Sequence, residues 1–161
     1  MSDTLKARAA HTVAAQRELI LRVSRALHAD PETAWQEHRS AALLCDTLEG
    51  LGMTVARGAG GIETAFVASA GAGPRTVAVV AEYDALAGLG HACGHNVIAA
   101  AAVGAAAALA PLADDLGATV RVIGAPAEEG GGGKIHLLDA GVFDDVEIAL
   151  MIHPGPADAL W

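Results

Sequence analysis

Three short segments of this chain carry side chains that are suited to bind a metal ion. They are Cys93 and His95, the adjacent pair Glu128 and Glu129, and His153. Thiolate, imidazole and carboxylate are the groups that bind zinc in proteins, and a metal-bound water can hydrolyse an amide bond. If the three segments meet in space, the sequence predicts a metal-dependent hydrolase.

The spacing of Cys93 and His95 favours a loop as their setting. Residues i and i+2 can point at one ion from an extended loop, but they diverge on a helix. An alanine-rich helix is predicted to follow, and its N-terminus, like a bound cation, would lower the pKa of the Cys93 thiol. By itself the pair is equally consistent with a buried cysteine beside an unrelated histidine.

Glu128 and Glu129 follow a predicted strand and should point in different directions. One can bind a metal ion while the other takes a proton from the attacking water and returns it to the leaving amine. Neighbouring glutamates more often form a solvated surface. Here the apolar strand before them and the four glycines at 130–133 favour a buried turn instead.

Three further residues are candidates for the same site. His153 ends an apolar strand, and Pro154 interrupts the ladder there, so the imidazole can reach the same site as the other candidates; taken alone, it is more typical of a core histidine. Asp84 is either a turn residue, a carboxylate that orients a ligand, or a metal bridge. His91 lies nearby without an assigned role. The remaining histidines fall on predicted helices and are expected at the surface: His11, His28, His38 and His136.

The elements that would position these side chains alternate between helix and strand. Helices are predicted at about 4–28, from Asp30 to about 51, at 97–110 and at about 132–140. Asp30 would be the N-cap of the second helix, with Pro31 in its first turn. Strands are predicted at 63–68, 76–81, 118–125 and 147–152, the first two forming a hairpin. This order predicts an α/β fold with a mostly parallel mixed sheet flanked by helices, whose ligand site lies beyond the carboxyl ends of the strands.

Composition and charge narrow the possible functions. The chain has 161 residues, 53% of them hydrophobic, which is enough for the core of one domain. A formal net charge of −9 without a basic run disfavours nucleic acid and anionic membrane surfaces. The apolar segment 97–112 is short for a membrane span, so a buried helix is predicted. The absence of a signal peptide predicts a reducing cytoplasm, with Cys45 as a core residue.

Segments 81–96, 124–134 and 151–154 together resemble the zinc-dependent aminoacylase and carboxypeptidase family. They are similar to its amidohydrolase branch, which includes aminobenzoyl-glutamate utilisation hydrolases and related dipeptidases. Segment 30–37, with Trp35 and Glu37, resembles the first helical segment of that family. The resemblance implies hydrolysis of an amide bond in a small substrate: an N-acyl amino acid, an aminoacyl-glutamate or a dipeptide-like molecule.

The resemblance also implies roles for individual residues. Two divalent metal ions, zinc or manganese, would be bound by Cys93, His95, Glu129 and His153. Glu128 would be the catalytic general base and acid. The fold would be that of the zinc-exopeptidase catalytic domain, and the full-length relative would be a homodimer.

The chain departs from this family in two respects. Ala87 stands where relatives usually carry proline, which removes no ligand. Relatives are also well over twice as long, with a dimerisation domain and a further histidine ligand. Residues 1–161 are therefore expected to form the N-terminal part of a catalytic domain.

The sequence is also compatible with two alternatives. The first is a thiol hydrolase in which Cys93 is the nucleophile and a nearby histidine is the base. The second is a non-catalytic metal-binding or subunit-interaction fragment, in which an incomplete sheet leaves an apolar edge for a partner.

Overall fold

The computed structural model describes residues 2–155, which form one mixed sheet with helices packed against it. The helices are α1 Ser2–Ala15, α2 Arg17–Ala29, α3 His38–Gly50, α4 His95–Leu109, α5 Ala113–Leu116, α6 Glu128–Gly131 and α7 Gly133–Asp139. The strands are β1 Thr54–Arg57, β2 Phe66–Ala70, β3 Arg75–Ala81, β4 Ala118–Gly124 and β5 Val146–Leu150. Short 3-10 turns lie at Ala59–Gly61 and Ala110–Leu112.

The sheet has the strand order β1-β2-β4-β3-β5. β3 pairs in parallel with β4 and with β5, whereas β2 is antiparallel to β1 and to β4. The predicted α/β fold with a mixed sheet flanked by helices is confirmed. Because β3, β4 and β5 run in the same direction, the loops that follow them leave from the same edge of the sheet.

The predicted hairpin between 63–68 and 76–81 is wrong. β4 lies between β2 and β3, and β2 instead pairs with the strand before it, β1, which was not predicted as a strand. The glycines and proline of 71–74 signalled a turn, but a turn does not decide which strand pairs with which. A Cβ on Gly73 would lie 2.2 Å from the Gly117 carbonyl, so this loop passes directly against the residue before β4.

The first two predicted helices also differ from the structure. The first is interrupted at Gln16, which separates α1 from α2. The second begins at His38 and not at Asp30, because 30–37 form a loop. The N-terminus of α3 is capped by Glu32, whose carboxylate accepts hydrogen bonds from the backbone N–H groups of Arg39 at 3.2 Å and Ser40 at 2.7 Å. Asp30 instead pairs with the Arg39 side chain.

The alanine-rich helix α4 forms the centre of the hydrophobic core. It packs between α1, α2 and α3 on one side and β3 and β4 on the other. Continuous helix from His95 to Leu116 is long and apolar enough to cross a membrane by length and composition, but 67% of its most apolar window is buried in the described protein. The predicted buried helix is confirmed, and Cys45 lies in the same core.

The cross-strand pair of Gly124 and Phe66 gives a test of this packing. A Cβ on Gly124 would lie 2.2 Å from the ring of Phe66, which is fully buried, so the ring or the backbone would have to shift. Gly124→Ala is therefore expected to lower the free energy of unfolding by roughly 1–3 kcal/mol in urea denaturation. Gly50→Ala is the control, since a Cβ there meets nothing within 4 Å. Equal losses in both variants would contradict this packing.

Candidate metal centre

The loops after β3, β4 and β5 bring the predicted site residues together. Cys93 Sγ lies 3.5 Å from His153 Nε2. Potential ligand atoms of Cys93, His95 and His153 all lie within 4.8 Å of one another, and those of His95, Glu128 and Glu129 form a second group of the same size. His95 belongs to both groups and is therefore the centre of the site.

Gly94 allows the cysteine and histidine arms to approach each other. Its φ of 91° turns the chain from the loop into α4, so that Cys93 stays in the loop and His95 is the first residue of the helix. A Cβ on Gly94 would lie 2.8 Å from Pro154 Cγ. The absence of a side chain at this position lets the segment that carries His153 pack directly on the cysteine loop.

His95 is completely buried, and its two ring nitrogens face different groups. Nδ1 lies 2.9 Å from the Asp84 carbonyl oxygen and 3.0 Å from Asp84 Oδ1, so Nδ1 carries a proton and donates. Nε2 has no hydrogen-bond partner among the described residues. It faces carboxylate oxygens of Glu82 at 3.5 Å and of Glu128 and Glu129 at 3.8 Å each. A nitrogen lone pair among three carboxylates is unfavourable unless a cation lies between them.

Asp84 lies behind His95 and also supports the glutamate arm. While Oδ1 accepts from His95, Oδ2 accepts a hydrogen bond of 2.9 Å from the backbone N–H of Glu129. Both carboxylate oxygens are thus used in hydrogen bonds. Of the roles considered for Asp84, the geometry supports the carboxylate that orients a ligand, and not the metal bridge or the plain turn residue.

Burial and neighbouring charges shift the pKa values of these groups. Burial alone would raise the pKa of Asp84, but the hydrogen bonds from His95 and the Glu129 backbone lower it below its ordinary value. Burial alone would lower the pKa of His95, but Asp84 and Glu129 raise it. Burial and the Glu129 and Glu128 carboxylates raise the pKa of Cys93 to about 11. Without a cation the pKa of Cys93 is thus raised and not lowered, contrary to the expectation from the helix N-terminus, whereas a bound metal ion would lower it.

The donor atoms fit a divalent transition metal. Around the buried His95 lie the Cys93 thiol, the His153 imidazole and the carboxylates of Glu128 and Glu129. The Nε2 atom of His95 has no hydrogen-bond partner among the described residues. Such mixed sulfur, nitrogen and oxygen ligands are typical of zinc and of related divalent ions. The arrangement can bind cations and place a carboxylate beside them.

Sequence reasoning missed two charged residues at this site. Glu82 is 1% exposed; its Oε1 pairs with the Lys134 ammonium, and its Oε2 faces His95. The available signal was an acidic residue directly after the buried strand β3, where water cannot solvate it. The predicted surface histidines are exposed, whereas His91 is buried, and its ring makes no hydrogen bond with the residues that the structure describes.

Comparison with known proteins gives the family. Residues 74–160 match the model of Peptidase family M20/M25/M40. The chain belongs to this peptidase family. It is 44% identical to a p-aminobenzoyl-glutamate hydrolase subunit of Escherichia coli (strain K12), over 77% of this chain and 30% of that protein. It is 41% identical to Xaa-Arg dipeptidase of Mus musculus, over 99% of this chain and 40% of that protein.

A solved structure of the peptidase family has the same fold. The Bacillus subtilis YXEP protein, a dinuclear metal binding peptidase from the M20 family, superimposes with a TM-score of 0.80 at 28% identity, over 89% of this chain and 44% of that one. The family resemblance predicted from the motifs is confirmed. The chain spans 30% to 40% of the length of the two curated relatives.

Asp84→Asn tests the orienting hydrogen bond. The substitution keeps the side-chain size but removes the charge that accepts the His95 proton, so zinc or manganese affinity is expected to fall by about 10- to 100-fold with the fold intact. Calorimetric metal titration with circular dichroism measures both properties. Asp114→Asn, at an exposed position, is the control. Unchanged metal affinity in Asp84→Asn would show that Asp84 does not orient His95.

The raised pKa of His95 predicts a pH dependence of metal stabilisation. In the metal-free protein, the stability contributed by protonated His95 is complete below the ordinary imidazole pKa and is lost as pH rises through the raised value. A metal ion replaces that proton, so the difference in thermal unfolding midpoint with and without manganese should widen across this interval. A difference that does not change with pH would contradict this linkage.

Proposed function

We propose that this chain carries metal-binding and proton-transfer residues of a metal-dependent amidohydrolase. The substrate would be an N-acyl amino acid, an aminoacyl-glutamate or a dipeptide-like molecule. The observation that carries the proposal is the buried His95 Nε2, which faces three carboxylates beside Cys93 and His153. Membership of a peptidase family supports it, as do relatives named for hydrolysis of p-aminobenzoyl-glutamate and of dipeptides.

Four side chains would hold the metal ions: Cys93, His95, Glu129 and His153. The dinuclear peptidase of Bacillus subtilis supports two ions, and the sulfur, nitrogen and oxygen donors favour zinc or manganese. Bound ions of this kind supply Lewis acidity and lower the pKa of water. The chain contributes fixed donor positions, because Asp84 orients His95 and anchors the Glu129 backbone.

Exposure supports a division of labour between the two glutamates. The Glu128 side chain is 39% exposed and that of Glu129 is 23% exposed, while both have an oxygen 3.8 Å from His95 Nε2. Glu128, the more exposed of the two, can therefore reach a substrate from solvent, take a proton from the attacking water and deliver it to the leaving amine. Glu129 is held by its backbone at Asp84 and is better placed to bind a metal ion.

The cysteine-nucleophile alternative is less well supported. Cys93 does lie 3.5 Å from His153 Nε2, which is the geometry of a thiol and its base. However, a thiol whose pKa is raised to about 11 is protonated at neutral pH, whereas a nucleophilic cysteine needs a lowered pKa. The carboxylates that surround Cys93 favour a cation there.

Glu128→Gln tests the proposed roles. With p-aminobenzoyl-glutamate, N-acyl amino acids and dipeptides ending in arginine as substrates, turnover is expected to fall by about 10²- to 10⁴-fold because the proton acceptor is lost. Metal affinity should stay near the unsubstituted value, whereas Cys93→Ala and His153→Ala should lose metal. Glu147→Gln, at an exposed position on β5, is the control.

Other outcomes identify the competing hypotheses. Metal loss in Glu128→Gln with retention in Glu129→Gln would reverse the two glutamate roles. Activity that survives a chelator but not an alkylating reagent would indicate the cysteine nucleophile. Metal binding without turnover on any of these substrates, together with self-association, would indicate a non-catalytic fragment.

A further inference from the structure

The residue that precedes Glu128 has an unusual backbone. Ala127 is fully buried, with φ 56° and ψ 44°, in the left-handed region that costs a non-glycine residue about 1 kcal/mol or more. In the described part of the chain, Trp35 is the only other non-glycine residue with positive φ, and it contacts the same turn. The conformation of Ala127 sets the direction in which the chain leaves β4 and in which Glu128 points.

Ala127 is held by hydrogen bonds on both sides of its Cα. Its N–H donates to Glu37 Oε1 at 2.8 Å, and its carbonyl oxygen accepts from the Gly133 N–H at 3.3 Å. Glu37 is 0% exposed, and its second oxygen has no hydrogen-bond partner among the described residues. A buried carboxyl group is costly unless it makes a specific interaction, and here the interaction is with the strained peptide.

Glu37 belongs to a bracing segment, residues 32–37, which touches two arms of the site. The Glu32 carbonyl oxygen accepts a hydrogen bond of 2.8 Å from the Ala85 N–H, next to Asp84. The Trp35 ring packs on Gly131, where a Cβ would lie 2.3 Å from the indole nitrogen. The bracing segment therefore fixes the glutamate turn relative to the loop that orients His95.

We propose that Glu37 is a positioning residue that acts through Ala127 to aim Glu128 at the substrate, an inference that rests on the function proposed above for Glu128. Without this hydrogen bond Ala127 relaxes towards an ordinary backbone conformation and turns Glu128 away. Cys93 and His153 are carried by other loops, and the hydrogen bond from the Glu129 backbone to Asp84 holds Glu129, so the proposed metal ligands stay in place.

The role requires a hydrogen-bond acceptor and not a negative charge. Burial raises the pKa of Glu37, and the nearby Asp84 acts in the same direction. A neutral side chain of the same shape should therefore serve as well. Glu37→Gln keeps an acceptor oxygen, whereas Glu37→Ala and the space-filling Glu37→Met remove it.

The experiment measures exchange, turnover and metal content in the intact protein. In Glu37→Met, the Ala127 amide is expected to exchange about 10-fold faster, since one buried hydrogen bond is lost. Turnover number should fall by about 10- to 100-fold, with KM and bound metal nearly unchanged, because the general base is misplaced. Glu37→Gln should restore all of these values. Glu63→Ala, whose side chain is 86% exposed, is the control.

The readouts separate failure of this inference from failure of the proposed function. Faster exchange with an unchanged turnover number would overturn the positioning role, and so would loss of bound metal together with turnover. Failure of Glu37→Gln to rescue would also overturn it. Full activity in Glu128→Gln would instead refute the proposed function, while the exchange result for Ala127 would be unaffected. If Glu37→Ala does not fold, Glu37→Met carries the same test.

Discussion

The burial of His95 among carboxylates is the interaction on which the rest of the structure depends. Lys134 offsets one of these acids, Glu82, which leaves Glu128 and Glu129 to be balanced near Nε2. A proton on the His95 imidazole supplies only one positive charge for these two carboxylates. Divalent ions would supply more positive charge in the same place. The N-terminus of α4 carries a partial positive charge, which also favours the nearby carboxylates. The local surplus of acid therefore favours a bound cation at this position, as the proposed metal centre requires.

The sheet topology makes this cluster possible. β3, β4 and β5 are parallel neighbours, so the loops after Ala81, Gly124 and Leu150 leave from one edge. Buried α4 packs against two of these strands and starts at His95 itself, which ties the position of the imidazole to the hydrophobic core. The buried helix and the polar residues after each strand could be predicted from the sequence, because hydrophobic period and such polar residues are local signals. The start of α4 could not, since the sequence predicts His95 in the loop and the helix from about 97, whereas His95 is the first residue of α4.

What could not be predicted depends on contacts between distant residues. In sequence, Glu32 and Glu37 look like ordinary acids at the start of a helix. In the structure, the Glu32 carboxylate caps α3 from outside that helix. The Glu37 carboxylate accepts a hydrogen bond from the backbone N–H of Ala127, which lies 90 residues away in the chain. The pairing of β2 with β4 is equally non-local. Propensity describes neighbours along the chain, and tertiary contacts can override it.

In the turn that carries Glu128 and Glu129, glycine and alanine have different structural roles. A Cβ on Gly133 would lie 1.9 Å from the Pro126 carbonyl oxygen, so the turn closes tightly enough to exclude any side chain there. Ala127 has a positive φ. A glycine at this position would adopt that conformation without strain, but a glycine would adopt many other conformations as well. An alanine held by Glu37 has fewer alternatives. Local strain at Ala127 would thus be the cost of holding Glu128 in one direction, which the proton transfer proposed for Glu128 requires.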